Sequence, residues 1–127
     1  MRRRTLLGPA ALALLLLAVV LLVASAAPQE ATAATKKVTI SNFAFTPQVI
    51  TIKHGTRVVW KNLDSTAHNV ISASNMSTSA KATGLFASPT LGSGASYSRT
   101  FKKKGTFFYM CTFHAGMAKM HGKIVVK

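Results

Sequence analysis

From Lys36 onward the apolar residues fall in short alternating or β-branched runs set off by turn residues, and no helix longer than two turns has an apolar face. The runs predict seven strands. They are Val38 to Ile40, Val49 to Lys53 behind Pro47, Arg57 to Lys61 behind the turn His54-Gly55, and His68 to Ser72. Ser96 to Phe101 follows, then Thr106 to Cys111 after the basic turn Lys102 to Gly105, and finally Lys123 to Val126. Between Ala73 and Gly94 the composition turns to Ser, Ala, Thr and Gly, with Met76, Leu85, Phe86 and Leu91 scattered among them. That span reads as one long irregular crossing loop with room for a helical turn. Trp60, Phe43, Phe45, Phe101 and Phe107 alternate with polar neighbours as core residues do. The pattern is that of an all-β sandwich or barrel.

The first 26 residues follow a different rule. Arg2, Arg3 and Arg4 precede an apolar run from Ala10 to Val23, and Ala24-Ser25-Ala26 supplies a small-x-small cleavage pattern, so residues 1–26 read as an export signal. The alternative is an uncleaved anchor, because Ala10 to Ala27 is at the short end of what spans a bilayer. Either way the arginines stay on the cytoplasmic side and the rest of the chain faces outward, in a periplasm or on the outer face of the cytoplasmic membrane. Residues 27–35 form a flexible Ala/Thr-rich lead-in, and residues 36–127 form the domain.

The 127-residue chain carries 16 Lys+Arg against 2 Asp+Glu, a net charge of +14. Removing the leader takes away three arginines and leaves +11, a field that steers acidic partners and weakens with salt. Cys111 is the only cysteine, so no internal disulfide supports the exported domain. A lone thiol in an oxidising compartment has to be buried, paired with another chain, or bound to a metal.

The segment around it concentrates soft and imidazole donors: Tyr109-Met110-Cys111-Thr112-Phe113-His114-Ala115-Gly116-Met117-Ala118-Lys119-Met120-His121-Gly122. The step from Cys111 to His114 lets a tight turn aim both side chains at one point. Met117 or Met120 offers a thioether on the same loop, and His68, in Ala67-His68-Asn69-Val70, is the best candidate for the remaining ligand. Two imidazoles, a thiolate and a weak axial thioether suit copper in an electron-transfer site. Zinc gains little from a thioether, and calcium and magnesium want oxygens that this acid-poor chain lacks. His54 reads as a solvated turn residue. His121 is expected on an outward-facing position without a ligand role.

The chain resembles small cupredoxins of the plastocyanin, amicyanin and pseudoazurin kind over roughly Lys36 to Lys127. The resemblance rests on Phe43-Ala44-Phe45-Thr46-Pro47, on Gly55 to Asp64, on His68-Asn69-Val70, on Gly105 to Tyr109, and on the Cys111 loop ending in Met120-His121-Gly122-Lys123. It implies a Greek-key β-sandwich of about seven to eight short strands. It also implies one copper ion held by His68, Cys111 and His114, with Asn69 tying the His68 strand to the Cys111 loop. Met120 is favoured as the axial ligand, with Met117 as the alternative. Ala115, where the family often has proline, and the strongly basic surface depart from the pattern.

The function this implies is one-electron transport by Cu(II)/Cu(I) cycling in a monomer, without enzyme activity. Electrons would pass through an apolar patch of Phe113, Ala115 and Gly116 to a transiently bound acidic redox partner. Copper delivery or storage is the alternative. A basic nucleic-acid-binding barrel is disfavoured by the export segment, and membrane contact is expected only through an uncleaved leader.

Overall fold

A computed structural model describes Pro28 and residues 32–127 of the chain. Residues 1–26, read as an export signal, and residues 27 and 29–31 of the lead-in lie outside the described residues. Residues Ala33–Lys127 form a compact unit, and among the described residues there are nine strands and two short 3₁₀ turns. The strands are β1 (Thr35–Ser41), β2 (Ala44–Thr46), β3 (Val49–Ile52), β4 (Thr56–Asn62), β5 (Ile71–Ala73), β6 (Ala82–Ala87), β7 (Ser96–Phe101), β8 (Gly105–Met110) and β9 (His121–Val126). They form two sheets, ordered β2-β1-β4-β7 and β3-β9-β8-β5-β6. The β1–β4 and β3–β9 pairs are parallel, and the other pairs are antiparallel.

Period-two patterning produces the sandwich. In β4, Thr56, Val58, Trp60 and Asn62 point inward while Arg57 and Lys61 point to solvent, as a sheet with one wet face requires. The apolar faces of both sheets meet in one core. Val38, Ile40, Val58 and Trp60 of the first sheet face Ile50, Ile52, Tyr109, Ile124 and Val126 of the second. Trp60 is its centre, with Tyr97 stacked at 5.6 Å between ring centroids and Tyr109 edge-on at 5.3 Å. Two polar atoms are left without a hydrogen-bond partner there, Trp60 Nε1 and Tyr109 Oη. Burial pushes the Tyr109 phenol well above its ordinary pKa, against a smaller opposing effect of the Trp60 indole.

The strand registers define two ends of the sandwich. Thr35 pairs with Arg57 and Arg57 with Thr100, while Gly105 pairs with Val126. The start of β1, the Lys53–Gly55 and Lys102–Lys104 turns and Lys127 therefore share one end. The opposite end gathers the connections that carry Phe43, Asp64 to Asn69, Leu91 and the segment from Cys111 to Met120.

The structure corrects three expectations. The stretch from Ala73 to Gly94 contains β6 and is not a continuous loop; only Phe86 of that edge strand is buried, so its sequence shows no alternation. The strand β2 was also not expected, being three residues long and closed by Pro47. His68 does not start a strand: β5 begins at Ile71, and His68 is held by an isolated bridge to Leu91, with backbone N–H···O bonds of 3.1 and 2.7 Å.

Candidate metal centre

Strand β8 ends at Met110, and Cys111 leaves it with extended geometry into a 3₁₀ turn over Thr112–His114. The segment then closes on itself. Backbone N–H groups of His114, Met117 and Met120 donate to the carbonyls of Cys111, His114 and Met117, and Cys111 N–H donates to the Met120 carbonyl at 3.0 Å. A second 3₁₀ turn, Ala118–Met120, delivers the chain to β9. Three-residue steps thus place Cys111, His114, Met117 and Met120 at successive turn corners, and the last bond sets Met120 beside Cys111.

Against this loop the structure places His68, fully buried at the end of its bridge to Leu91. The Nδ1 atoms of His68 and His114 are 3.2 Å apart. Cys111 Sγ lies 3.7 Å from the first and 3.5 Å from the second. Nothing covalent joins these atoms, and Cys111 is a buried free thiol. An ion about 2.0–2.1 Å from each nitrogen and about 2.3 Å from a thiolate would separate tetrahedrally disposed donors by about 3.3 Å (N to N) and about 3.5 Å (N to S). The three donor atoms match that spacing, so the group is able to hold one metal ion.

The far side of His68 is equally constrained. Its Nε2 is 2.9 Å from Asp64 Oδ2, and an N–H donated there leaves the Nδ1 lone pair facing Cys111. Asp64 also accepts backbone N–H bonds from Asn42 at 2.7 Å and Phe43 at 3.0 Å. Burial pulls the Asp64 carboxyl upward, but the Phe43 and Asn42 N–H groups and the His68 ring outweigh it and hold the carboxyl below its ordinary pKa. Buried Asn62 accepts from Asp64 N–H and donates to the carbonyls of Thr66 and Leu91. Asp64 was missed from the sequence, where it is one polar residue of a turn; a carboxylate four residues before a histidine was the available signal.

Asn69 bridges the two halves. Its Nδ2 donates to Thr112 Oγ1 at 2.7 Å, and its Oδ1 accepts Thr112 N–H at 2.8 Å. Phe43 lies edge-on to both imidazoles, 5.3 Å from His68 and 4.9 Å from His114 between ring centroids, and so covers the pair. It is one of the expected core aromatics but packs only partly buried at the metal end.

The two methionines differ sharply. Met120 is completely buried, whereas Met117 is 44% exposed. Around half-buried His114, Phe113 is 52% exposed and Gly116 and Met117 also face solvent, with Ala115 half-buried. His54 is an exposed turn residue. His121 corrects the outward placement expected for it: it is fully buried, and its Nε2 lies 2.7 Å from the Ala115 carbonyl. The reason is local. His121 pairs with Met110 and Gly122 with Tyr109 in an unbroken register, so His121 points to the sheet face opposite Gly122 and is buried there under the Ala115 segment. Gln48 supports the same segment by donating to the carbonyls of Ala118 and His121.

Comparison with known proteins agrees with this geometry. Residues 32–127 match the model of the copper-binding proteins of the plastocyanin/azurin family. The chain is 35% identical to amicyanin-alpha of Methylorubrum extorquens over 99 residues, 78% of this chain and 77% of that one. It is 36% identical to plastocyanin of Scenedesmus fuscus over 85 residues, 65% of this chain and 86% of that one. Its structure superposes on a purple cupredoxin from Nitrosopumilus maritimus with a TM-score of 0.63 at 28% identity, covering 72% of this chain and 98% of that one. With its two-sheet sandwich and its buried His-Cys-His group, the chain belongs to the plastocyanin/azurin family of copper-binding proteins, the small cupredoxins.

Proposed function

We propose that this protein is an exported one-electron carrier whose copper is held by His68, Cys111 and His114, with Met120 as the axial ligand. The observation that carries this reading is the convergence of two Nδ1 atoms and a thiol sulfur, within 3.2–3.7 Å of one another, at a buried point. Bound copper would supply the Cu(II)/Cu(I) couple. The protein's part is to keep the donors where they are in both states. Asp64 fixes the His68 ring, Asn69 and Thr112 pin the Cys111 loop, and the closed turns return Met120 to Cys111, so few atoms need to move when the charge changes. The complete burial of Met120 supports it over Met117 as the weak fourth donor.

His114 is the half-exposed member of the donor set, which supports it as the route for the electron. The surrounding Phe113, Ala115, Gly116 and Met117 form a small apolar contact face suited to brief encounters with a redox partner. The net positive charge of the domain, with exposed Lys119 close to this face, favours an acidic partner through long-range steering. Export rests on the N-terminal apolar run and its flanking arginines.

Visible absorption of residues 33–127 after addition of Cu(II) tests the ligand set, in wild type and in Met117→Leu and Met120→Leu. Met120→Leu is expected to move the charge-transfer band and the reduction potential, and Met117→Leu to leave both nearly unchanged. The opposite ranking would transfer the axial role to Met117. A colourless protein that retains only Cu(I) would assign the site to copper delivery.

A further inference from the structure

The basic residues are distributed unevenly between the two ends of the sandwich. The described residues contain 13 Lys and Arg, with Asp64 as their one acid. Lys36 and Lys37 at the start of β1, Lys53, Arg57 at the start of β4, the run Lys102-Lys103-Lys104 and Lys127 all sit at the end remote from His68, Cys111 and His114, and all eight are exposed. They come from five separate chain segments. His54 N–H bonds the Lys127 carbonyl, and Gly55 N–H bonds the Phe101 carbonyl just before the Lys102 turn, so these segments are joined into one face. The acid, Asp64, lies at the other end, tied to His68.

An open cavity of about 250 Å³ borders this face. Phe101, Phe107 and Leu85 give it an apolar lining, while Arg99, Lys102 and Lys103 supply positive charge. The Arg99 guanidinium stacks over Phe86 and Phe101 at 5.0 and 5.8 Å from the ring centroids. Cationic groups beside an apolar recess suit an amphiphilic anion, a phosphate carried on a hydrocarbon stem.

We propose that the basic end is a docking surface for a bilayer containing anionic phospholipid, which holds the domain with its metal end turned away from the membrane. An anionic bilayer attracts each nearby Lys or Arg within a Debye length, and a face spread over five segments presents many at once. An acidic protein at this end would compete for the same charges but would not explain the apolar recess. The proposal is independent of the copper reading, since metal-free protein carries the same surface.

Residues 33–127 form a compact unit that holds the hydrophobic core of the described residues, so this unit is tested without the apolar N-terminal run. Partition is measured onto phosphatidylcholine vesicles with and without phosphatidylglycerol. The expected result is binding only where phosphatidylglycerol is present, with loss at high salt. Replacing Lys102, Lys103 and Lys104 together by Gln should weaken partition by about 100-fold at low salt. Replacing Lys61, Lys119 and Lys123 by Gln removes the same charge elsewhere and should weaken it by only a few-fold; circular dichroism verifies that both variants fold. Equal losses in the two variants, or no binding to phosphatidylglycerol, would overturn the proposal. Binding to polyglutamate as tight as to the vesicles would also overturn it, in favour of an acidic protein partner.

Discussion

Cys111→Ser is expected to abolish the thiolate-to-copper absorption of the proposed site and to lower Cu(II) affinity by more than about 100-fold, beyond the loss expected from removing an outer-shell contact. The sulfur is the sole soft anionic donor in the group, and a hydroxyl at the same position neither ionises at neutral pH nor forms the covalent bond to copper that produces the colour. Cys111 is fully buried between two imidazoles, so the variant also places a hydroxyl where a sulfur had packed, at a cost of about 1–3 kcal/mol. The fold should survive that cost. Denaturant unfolding separates the effects: copper at a thousand times its Kd stabilises the wild type by about 4 kcal/mol and leaves Cys111→Ser nearly unchanged. A variant that kept the visible band would remove Cys111 from the site.

Gly122→Ala is expected to be the most damaging small substitution in the domain. Gly122 pairs with Tyr109 across β8 and β9, and a Cβ there would overlap the Cζ and Oη atoms of the Tyr109 ring. The ring has nowhere to retreat, because it is fully buried with Phe45 at 4.8 Å and Trp60 at 5.3 Å. Overpacking of this kind costs about 3 kcal/mol or more, a large share of the about 5–15 kcal/mol that holds a domain together. Any shift of β9 also moves Met120 and His121, so copper affinity should fall with stability. A double-mutant cycle checks the cause: in a Tyr109→Leu background, the alanine should cost far less. Equal cost in both backgrounds would place the strain elsewhere.

These two positions show what was readable in the sequence. Alternation in Arg57 to Lys61 located β4 to within a residue, because that strand has one wet and one dry face, while β7 and β8 were located as closely by the turn residues that bracket Ser96 to Phe101 and Thr106 to Cys111. Edge strand β6 has one buried residue and hence no pattern to read. Local spacing pointed to Cys111, His114 and the two methionines because turn hydrogen bonds operate over three residues. Residue types alone singled out His68, and the fold brought it to them. Phe43 was invisible as a site residue because it meets His68 and His114 from distant parts of the chain, and Asp64 offered only its four-residue spacing to His68, since its bonds to Asn42 and Phe43 come from a loop 21 or 22 residues away. His121 was expected in solvent because alternation does not reveal that the Ala115 segment folds over the outer face of β9 and covers it.

The measurement that bears most directly on the electron-carrier reading is a spectroelectrochemical titration of the copper-loaded unit, residues 33–127, in the presence of a Cu(I) chelator. The account predicts that the visible band bleaches and returns reversibly as a single one-electron transition, with copper retained by the protein in both states. Loss of copper to the chelator on reduction, or a transition that does not reverse, would contradict it.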